Sequence, residues 1–198
     1  MNNLPGQTGG TQFKVPFVGD SSVGKTSIVS RYNEKKFTGN MPSTVGVSNV
    51  QLQIKVKNQK VDMTVWDTAG QEKFLSLVPL YTRHSDLLII VFDMSNQKTF
   101  DGVEQWFQRA REDLDLKCPI IICGNKIDLP SAIEKQAVED WAKSHECIAC
   151  FTSAKDGDGV DNLFQTAAEK LISSRPATSS SFGSCPNLEA AQQKKGCC

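Results

Sequence analysis

Long apolar runs are missing from this chain of 198 residues, and so is any excess of charge. No stretch approaches the about 20 apolar residues that a membrane helix needs. Lysine plus arginine equals aspartate plus glutamate at 22 each, so no global field favours nucleic acid or an acidic partner. The N-terminus lacks a charged region followed by an apolar one, which argues against a secretory signal. Its second residue is Asn2 rather than glycine, which argues against N-myristoylation. The expectation is a cytosolic domain, and the length suits a single one with a full core.

A disulfide framework is equally poorly supported. The seven cysteines are an odd count, and reduced thiols are expected in this class of chain. Cys118 and Cys123 flank or occupy an apolar run and read as small core hydrophobes. Cys147 and Cys150 form a C-x-x-C close to His145. No second ligand pair stands at zinc-finger spacing, and the segment also reads as a buried strand.

What is present begins with Gly19-Asp20-Ser21-Ser22-Val23-Gly24-Lys25-Thr26, a G-x-x-x-x-G-K-T loop. Glycines allow a tight turn whose successive N–H groups converge on phosphate oxygens. Lys25 brings a positive charge to the outer phosphates, and the Thr26 hydroxyl suits Mg²⁺. An apolar run, Phe13 to Val18, precedes the loop, and a helix-like run, Ser27 to Asn33, follows it. That order places the phosphates at a helix N-terminus, where unpaired amides and the dipole favour anions.

Apolar runs alternate with helix-period segments from residue 13 to about 173. Strands are expected at Phe13–Val18, Val47–Val56, Val61–Trp66, Leu87–Phe92, Ile120–Cys123 and Ile148–Thr152. The runs from Leu87 to Phe92 and from Ile120 to Ile122 do not alternate, as suits strands buried on both faces. Val47 to Val56 alternates better and leads through Lys57-Asn58-Gln59-Lys60 into the next strand, which predicts one antiparallel hairpin at the sheet edge. Helices are expected at Lys25–Asn33, Thr99–Leu114, Glu134–Ser144 and Val160–Ser173, with a capping box at Ser131 and Glu134. The alternation gives an α/β fold: a six-stranded, mostly parallel sheet with helices on both faces. Ligands of such sheets sit beyond the carboxyl ends of the strands.

Three further loops should share that edge. Asn125-Lys126-Ile127-Asp128 follows one strand, and the Asp128 carboxylate can accept from both the ring N–H and the exocyclic amine of guanine. Adenine has no such donor pair, so the carboxylate would be left unsatisfied. Ser153-Ala154-Lys155 follows the last strand and can offer a backbone N–H to the guanine carbonyl. Asp67-Thr68-Ala69-Gly70-Gln71 follows the strand ending in Trp66, with Asp67 suited to hold Mg²⁺ through water, Gly70 to approach a γ-phosphate, and Gln71 to orient an attacking water.

Together GDSSVGKT, Thr44, WDTAGQEKF, NKID and SAK resemble the motif set of the Ras-like small GTPases, across residues 13 to about 173. WDTAGQEKF, the run Ile89-Ile90-Val91-Phe92-Asp93-Met94-Ser95-Asn96 with Phe100, and the terminal Cys197-Cys198 resemble the Rab branch. The stretch from Ser76 to Tyr81 is similar to both endosomal and Golgi Rabs. Two stretches depart from the Rab pattern: Val45-Gly46-Val47-Ser48-Asn49, and Leu80-Tyr81-Thr82-Arg83-His84.

The resemblance implies a P-loop small G domain over residues 13–173, between a flexible segment 1–12 and a flexible tail 174–198. It implies that Ser21, Ser22, Val23, Gly24, Lys25, Thr26, Ser27, Phe37, Thr44, Gly70, Asn125, Lys126, Asp128, Ser153, Ala154 and Lys155 hold GTP or GDP. Phe37 would pack against guanine; Thr26, Thr44 and water-linked Asp67 would hold Mg²⁺. Catalysis would fall to Gln71, Lys25 and Thr44. Segments around 37–49 and 68–84 would be switches ordered by the γ-phosphate. An exchange factor, a GTPase-activating protein, a GDP-dissociation inhibitor or escort protein and effectors would be the partners, with no nucleic acid.

The Ser/Pro/Ala/Thr/Gly-rich segment from Arg175 to Cys185 carries no apolar period and reads as a tether. Cys197 and Cys198 at its end resemble double prenylation sites, and two lipid chains anchor stably where one is marginal. The expected location is the cytoplasmic face of endosomal or Golgi membranes, with a cytosolic pool. Rival readings are a non-hydrolysing Rab-shaped scaffold, against which Gln71, Thr26 and Asp67 count, and an ATP-using P-loop enzyme, which Asp128 opposes.

Overall fold

The computed structural model describes residues 12–39, 47–68 and 78–174. In chain order these form β1 (Gln12–Val18), α1 (Lys25–Glu34), β2 (Val47–Val56), β3 (Gln59–Thr68), α2 (Val78–Thr82), β4 (Leu88–Asp93), α3 (Gln97–Gln108), β5 (Ile120–Asn125), α4 (Lys135–Ser144), β6 (Ile148–Phe151) and α5 (Val160–Ser173). The described residues carry one six-stranded sheet in the order β2-β3-β1-β4-β5-β6. Every neighbouring pair is parallel except β2 with β3, so the expected edge hairpin is there. Lys57 in the left-handed region (φ 51°) makes its tight turn.

The unalternating runs fill two cores, one on each face of the sheet. Leu87, Ile89 and Val91 face α1 and α5, where Ile28, Val29, Phe164, Ala167 and Leu171 are buried. Leu88, Ile90 and Phe92 face α3 and α4, where Val103, Val138 and Ala142 are buried. Burial on both sides explains why these strands need apolar side chains at consecutive positions. Cys123 and Cys150 lie in the first core and Cys147 packs against the second. The two thiols of the C-x-x-C therefore point to opposite faces of the sheet and cannot converge on one ion.

Some local expectations change. The helix expected over Thr99–Leu114 starts at Gln97 on an Asn96 cap, whose side chain accepts from Lys98 N, and widens into a π turn at Arg109–Asp113. The Ser131/Glu134 capping box does not form: Ser131 Oγ donates to the carbonyls of Met94 and Ile133, and α4 begins at Lys135 with no side-chain cap. The short helix α2, containing Pro79, was not legible as a periodic run.

Parallel pairing of β1, β3, β4, β5 and β6 brings the carboxyl ends of all five strands to one edge. The order reverses around β1, with β3 on one side and β4 on the other. The loop leaving β1 thus opens at the crevice where such sheets bind ligands.

Candidate nucleotide-binding site

Gly19 and Gly24 shape the loop from β1 into α1. Gly19 has φ 136°, and a Cβ there would lie 2.1 Å from the Val91 carbonyl oxygen; Gly24 has φ 97°, and a Cβ would lie 2.4 Å from Asn125 Nδ2. No other residue fits either position without displacing backbone or a buried amide. Between them Ser21 and Ser22 are exposed, Val23 is buried, and Ser22 itself sits in the left-handed region (φ 62°). Thr26 and Ser27 follow in the first turn of α1, which Lys25 opens.

Lys25 is 5% exposed, and its Nζ donates to the carbonyls of Gly19 at 2.8 Å and Asp20 at 2.7 Å. Burial pulls its pKa down to about 8, with Asp67 and Asp20 opposing the shift. A buried ammonium that donates to two backbone carbonyls is poised to gain from an anionic partner.

At the end of β3, Asp67 Oδ2 accepts from Thr26 Oγ1 at 2.6 Å. Asp67 Oδ1 is buried with no hydrogen-bond partner among the described residues. Burial raises the Asp67 carboxyl, and the Thr26 hydroxyl and Lys25 offset this in part. An orphaned carboxylate oxygen beside a hydroxyl is a hard-oxygen set that fits Mg²⁺ and a shell of water.

The loops after β5 and β6 are laced together. Asn125 is buried; its Nδ2 donates to the Val23 carbonyl at 2.9 Å, and its Oδ1 accepts from Thr152 Oγ1 at 3.0 Å and from Ala154 N at 3.2 Å. It joins the phosphate loop to both others. Asp128 Oδ1 accepts from Ser153 Oγ at 2.8 Å, and Lys155 Nζ lies 3.6 Å from Asp128 Oδ2. Lys126, in the left-handed region (φ 65°), pairs with Asp93 Oδ2 at 2.7 Å. Phe37, beyond α1, is 40% exposed. Thr44, Gly70, Gln71, Cys197 and Cys198 lie outside the described residues.

The Ras family model matches residues 14–173. The chain belongs to the Ras family. RabJ of Dictyostelium discoideum is 35% identical over 161 residues, 80% of this chain and 63% of that protein. Rab-21 of Geodia cydonium is 36% identical over 166 residues, 82% of this chain and 72% of the relative. Rab-7a of Paramecium octaurelia is 32% identical over 198 residues, 94% of this chain and 96% of its own length. The chain thus spans less than two thirds of RabJ but nearly all of the Paramecium protein. It is a divergent Rab-like small GTPase, and the α/β sheet just described is the fold of that family.

Within this Ras-family domain the structure ties to the site two residues that the sequence reading gave no part in it. Asp93, at the carboxyl end of β4, closes an apolar run and gives no sign of the ion pair it makes with Lys126. Thr152, fully buried just ahead of Ser153, fixes Asn125. Its only sequence signal was adjacency to the SAK motif.

Proposed function

We propose that the chain is a GTP-hydrolysing switch that recruits effectors to membranes in vesicle traffic. The observation that carries this reading is the Thr26–Asp67 contact with its orphaned carboxylate oxygen, set beside the buried Lys25 ammonium. A hydroxyl, a carboxylate and a cation concentrated at one strand edge suit a polyphosphate and its metal better than any neutral ligand.

In this reading the loop amides from Ser21 to Ser27 and the Lys25 ammonium hold the phosphates, and Lys25 counters charge on the γ-phosphoryl oxygens. Thr26, Thr44 and, through water, Asp67 would hold Mg²⁺, which when bound would supply positive charge to the phosphates. Gln71 orients water for in-line attack, Gly70 approaches the γ-phosphate, and Thr44 reports its presence to the switch. Asp128, placed by Ser153, reads the guanine edge; the Lys126 stem and Phe37 flank the ring, and Ala154 and Lys155 complete the pocket. The internal arginines match no catalytic motif, so turnover is slow until an activating protein adds charge worth about 10³–10⁵ in rate.

By family resemblance an exchange factor, a GDP-dissociation inhibitor or escort protein and effectors complete the cycle. Prenyl groups on Cys197 and Cys198 would place the chain on endosomal or Golgi membranes, with a cytosolic pool. No helix among the described residues is long and apolar enough to cross a membrane.

The test is single-turnover phosphate release from GTP by the purified chain and by Gln71→Leu. Slower release by the variant supports hydrolysis; equal rates favour a non-hydrolysing scaffold.

A further inference from the structure

An acidic residue inside an anion-binding loop needs explaining. Asp20 stands immediately after Gly19, and its carbonyl already accepts from Lys25 Nζ at 2.7 Å. A free carboxylate at this position would repel the phosphates that the loop amides gather. The structure gives that carboxylate a fixed place on another element. Trp106 Nε1 donates to Asp20 Oδ1 at 2.9 Å, across 86 residues of sequence. One turn earlier on α3, Gly102 leaves room for the same group: a Cβ there would lie 3.1 Å from Asp20 Oδ2 and 3.5 Å from Oδ1. Gly102 and Trp106 are four residues apart and share one helix face, so together they form a notch and a donor for one carboxylate.

The pieces are individually uninformative. Gly102 in mid-helix is unfavourable for helix formation by itself, and a bulkier side chain would press on Asp20. Trp106 is only half-buried, and its indole N–H needs a partner as any such donor does. Both oddities are accounted for if α3 is shaped to receive the loop's carboxylate.

We propose that Trp106 is a positioning residue for the phosphate loop: its indole N–H, with the space at Gly102, holds the Asp20 carboxylate on α3 and keeps its charge from opposing a bound nucleotide. This rests on the reading of Gly19–Thr26 as the phosphate site. The indole touches no ligand; it acts through Asp20.

The test measures release of a fluorescent GDP from the full chain in Mg²⁺, for wild type, Trp106→Phe, Asp20→Ala and the double variant. Trp106→Phe keeps the ring and loses the donor; release about tenfold faster is expected from one lost hydrogen bond to a charged group. Removing the freed charge should suppress that defect, so the double variant releases GDP at the rate of Asp20→Ala alone. A purely structural role for Trp106 predicts the reverse, a double variant at least as fast as Trp106→Phe. Gly102→Ala crowds the carboxylate without touching the indole, and the same suppression by Asp20→Ala is expected if Trp106→Phe does not fold. Release by Trp106→Phe within twofold of wild type, or no suppression in the double variant, overturns the proposal. Wild type that retains no GDP overturns this proposal and the phosphate-site reading together.

Discussion

Asp93 Oδ2 lies 2.7 Å from Lys126 Nζ, so an ion pair links the carboxyl end of β4 to the lysine of the Asn-Lys-Ile-Asp loop. Asp93 Oδ1 accepts from Ser95 N and Ser95 Oγ, which leaves the carboxylate with little freedom. Burial alone would raise its carboxyl, but the Lys126 ammonium and the Ser95 donors outweigh that and hold it below the ordinary carboxylate range. Lys126 itself sits in the left-handed backbone region (φ 65°).

Asp93→Asn keeps a carbonyl for Ser95 and removes the charge from Lys126. It is expected to cost about 1–2 kcal/mol of stability and to speed GDP release about tenfold, measured by thermal melts and nucleotide dissociation. Because the folded carboxyl is lowered, its contribution is present above the unfolded value and is lost as pH falls through the folded one. The wild type should therefore lose stability on acidification more steeply than Asp93→Asn.

Lys25 produces a pH dependence of the same sign, displaced to alkaline pH. Burial lowers its folded pKa to about 8 from an ordinary value of 10.5, so the unfolded chain binds the proton more tightly. Nucleotide-free protein should gain stability as pH rises from about 8 towards 10. A bound polyphosphate would restore the proton, so GDP binding should take up protons near about pH 9 and weaken as pH rises above 8. Calorimetric titration in two buffers of different ionisation enthalpy checks this. Equal apparent enthalpies in both buffers near about pH 9 would contradict it.

The terminal cysteines carry the proposed membrane address. A single prenyl chain binds a bilayer marginally, while two give stable anchoring, each buried CH₂ contributing about 0.8 kcal/mol. After prenylation, wild type should sediment with lipid vesicles, Cys197→Ser should wash off, and the variant lacking both thiols should stay in the supernatant. Vesicle binding by that double variant would remove the lipid-anchor reading.

Much of this was legible from residue patterns because burial on two faces writes itself into sequence. Leu87 to Phe92 and Ile120 to Ile122 read as inner strands, and the alternation from Val47 to Val56 pointed to the edge hairpin. The loop motifs then had to share an edge, since parallel strands place their carboxyl ends together. What stayed hidden was pairing at a distance. Nothing local reveals that Trp106 reaches Asp20, that Asp93 meets Lys126, or that Asn125 spans three loops. Local rules also lost to tertiary demand: Ser131 had a capping pattern available, but its hydroxyl serves the Met94 and Ile133 carbonyls instead.

The central claim, a site that selects guanine through Asp128, is tested most directly by competition binding of GDP, ADP and xanthosine diphosphate to wild type and Asp128→Asn. The carboxylate, held by Ser153 Oγ at 2.8 Å, should make wild type prefer GDP over ADP by about 10⁴-fold or more. Asp128→Asn should lose that preference and turn towards the xanthine nucleotide, whose ring offers the complementary acceptor. An Asp128→Asn protein with undiminished guanine selectivity, or a wild type that binds ADP as well as GDP, would contradict the account.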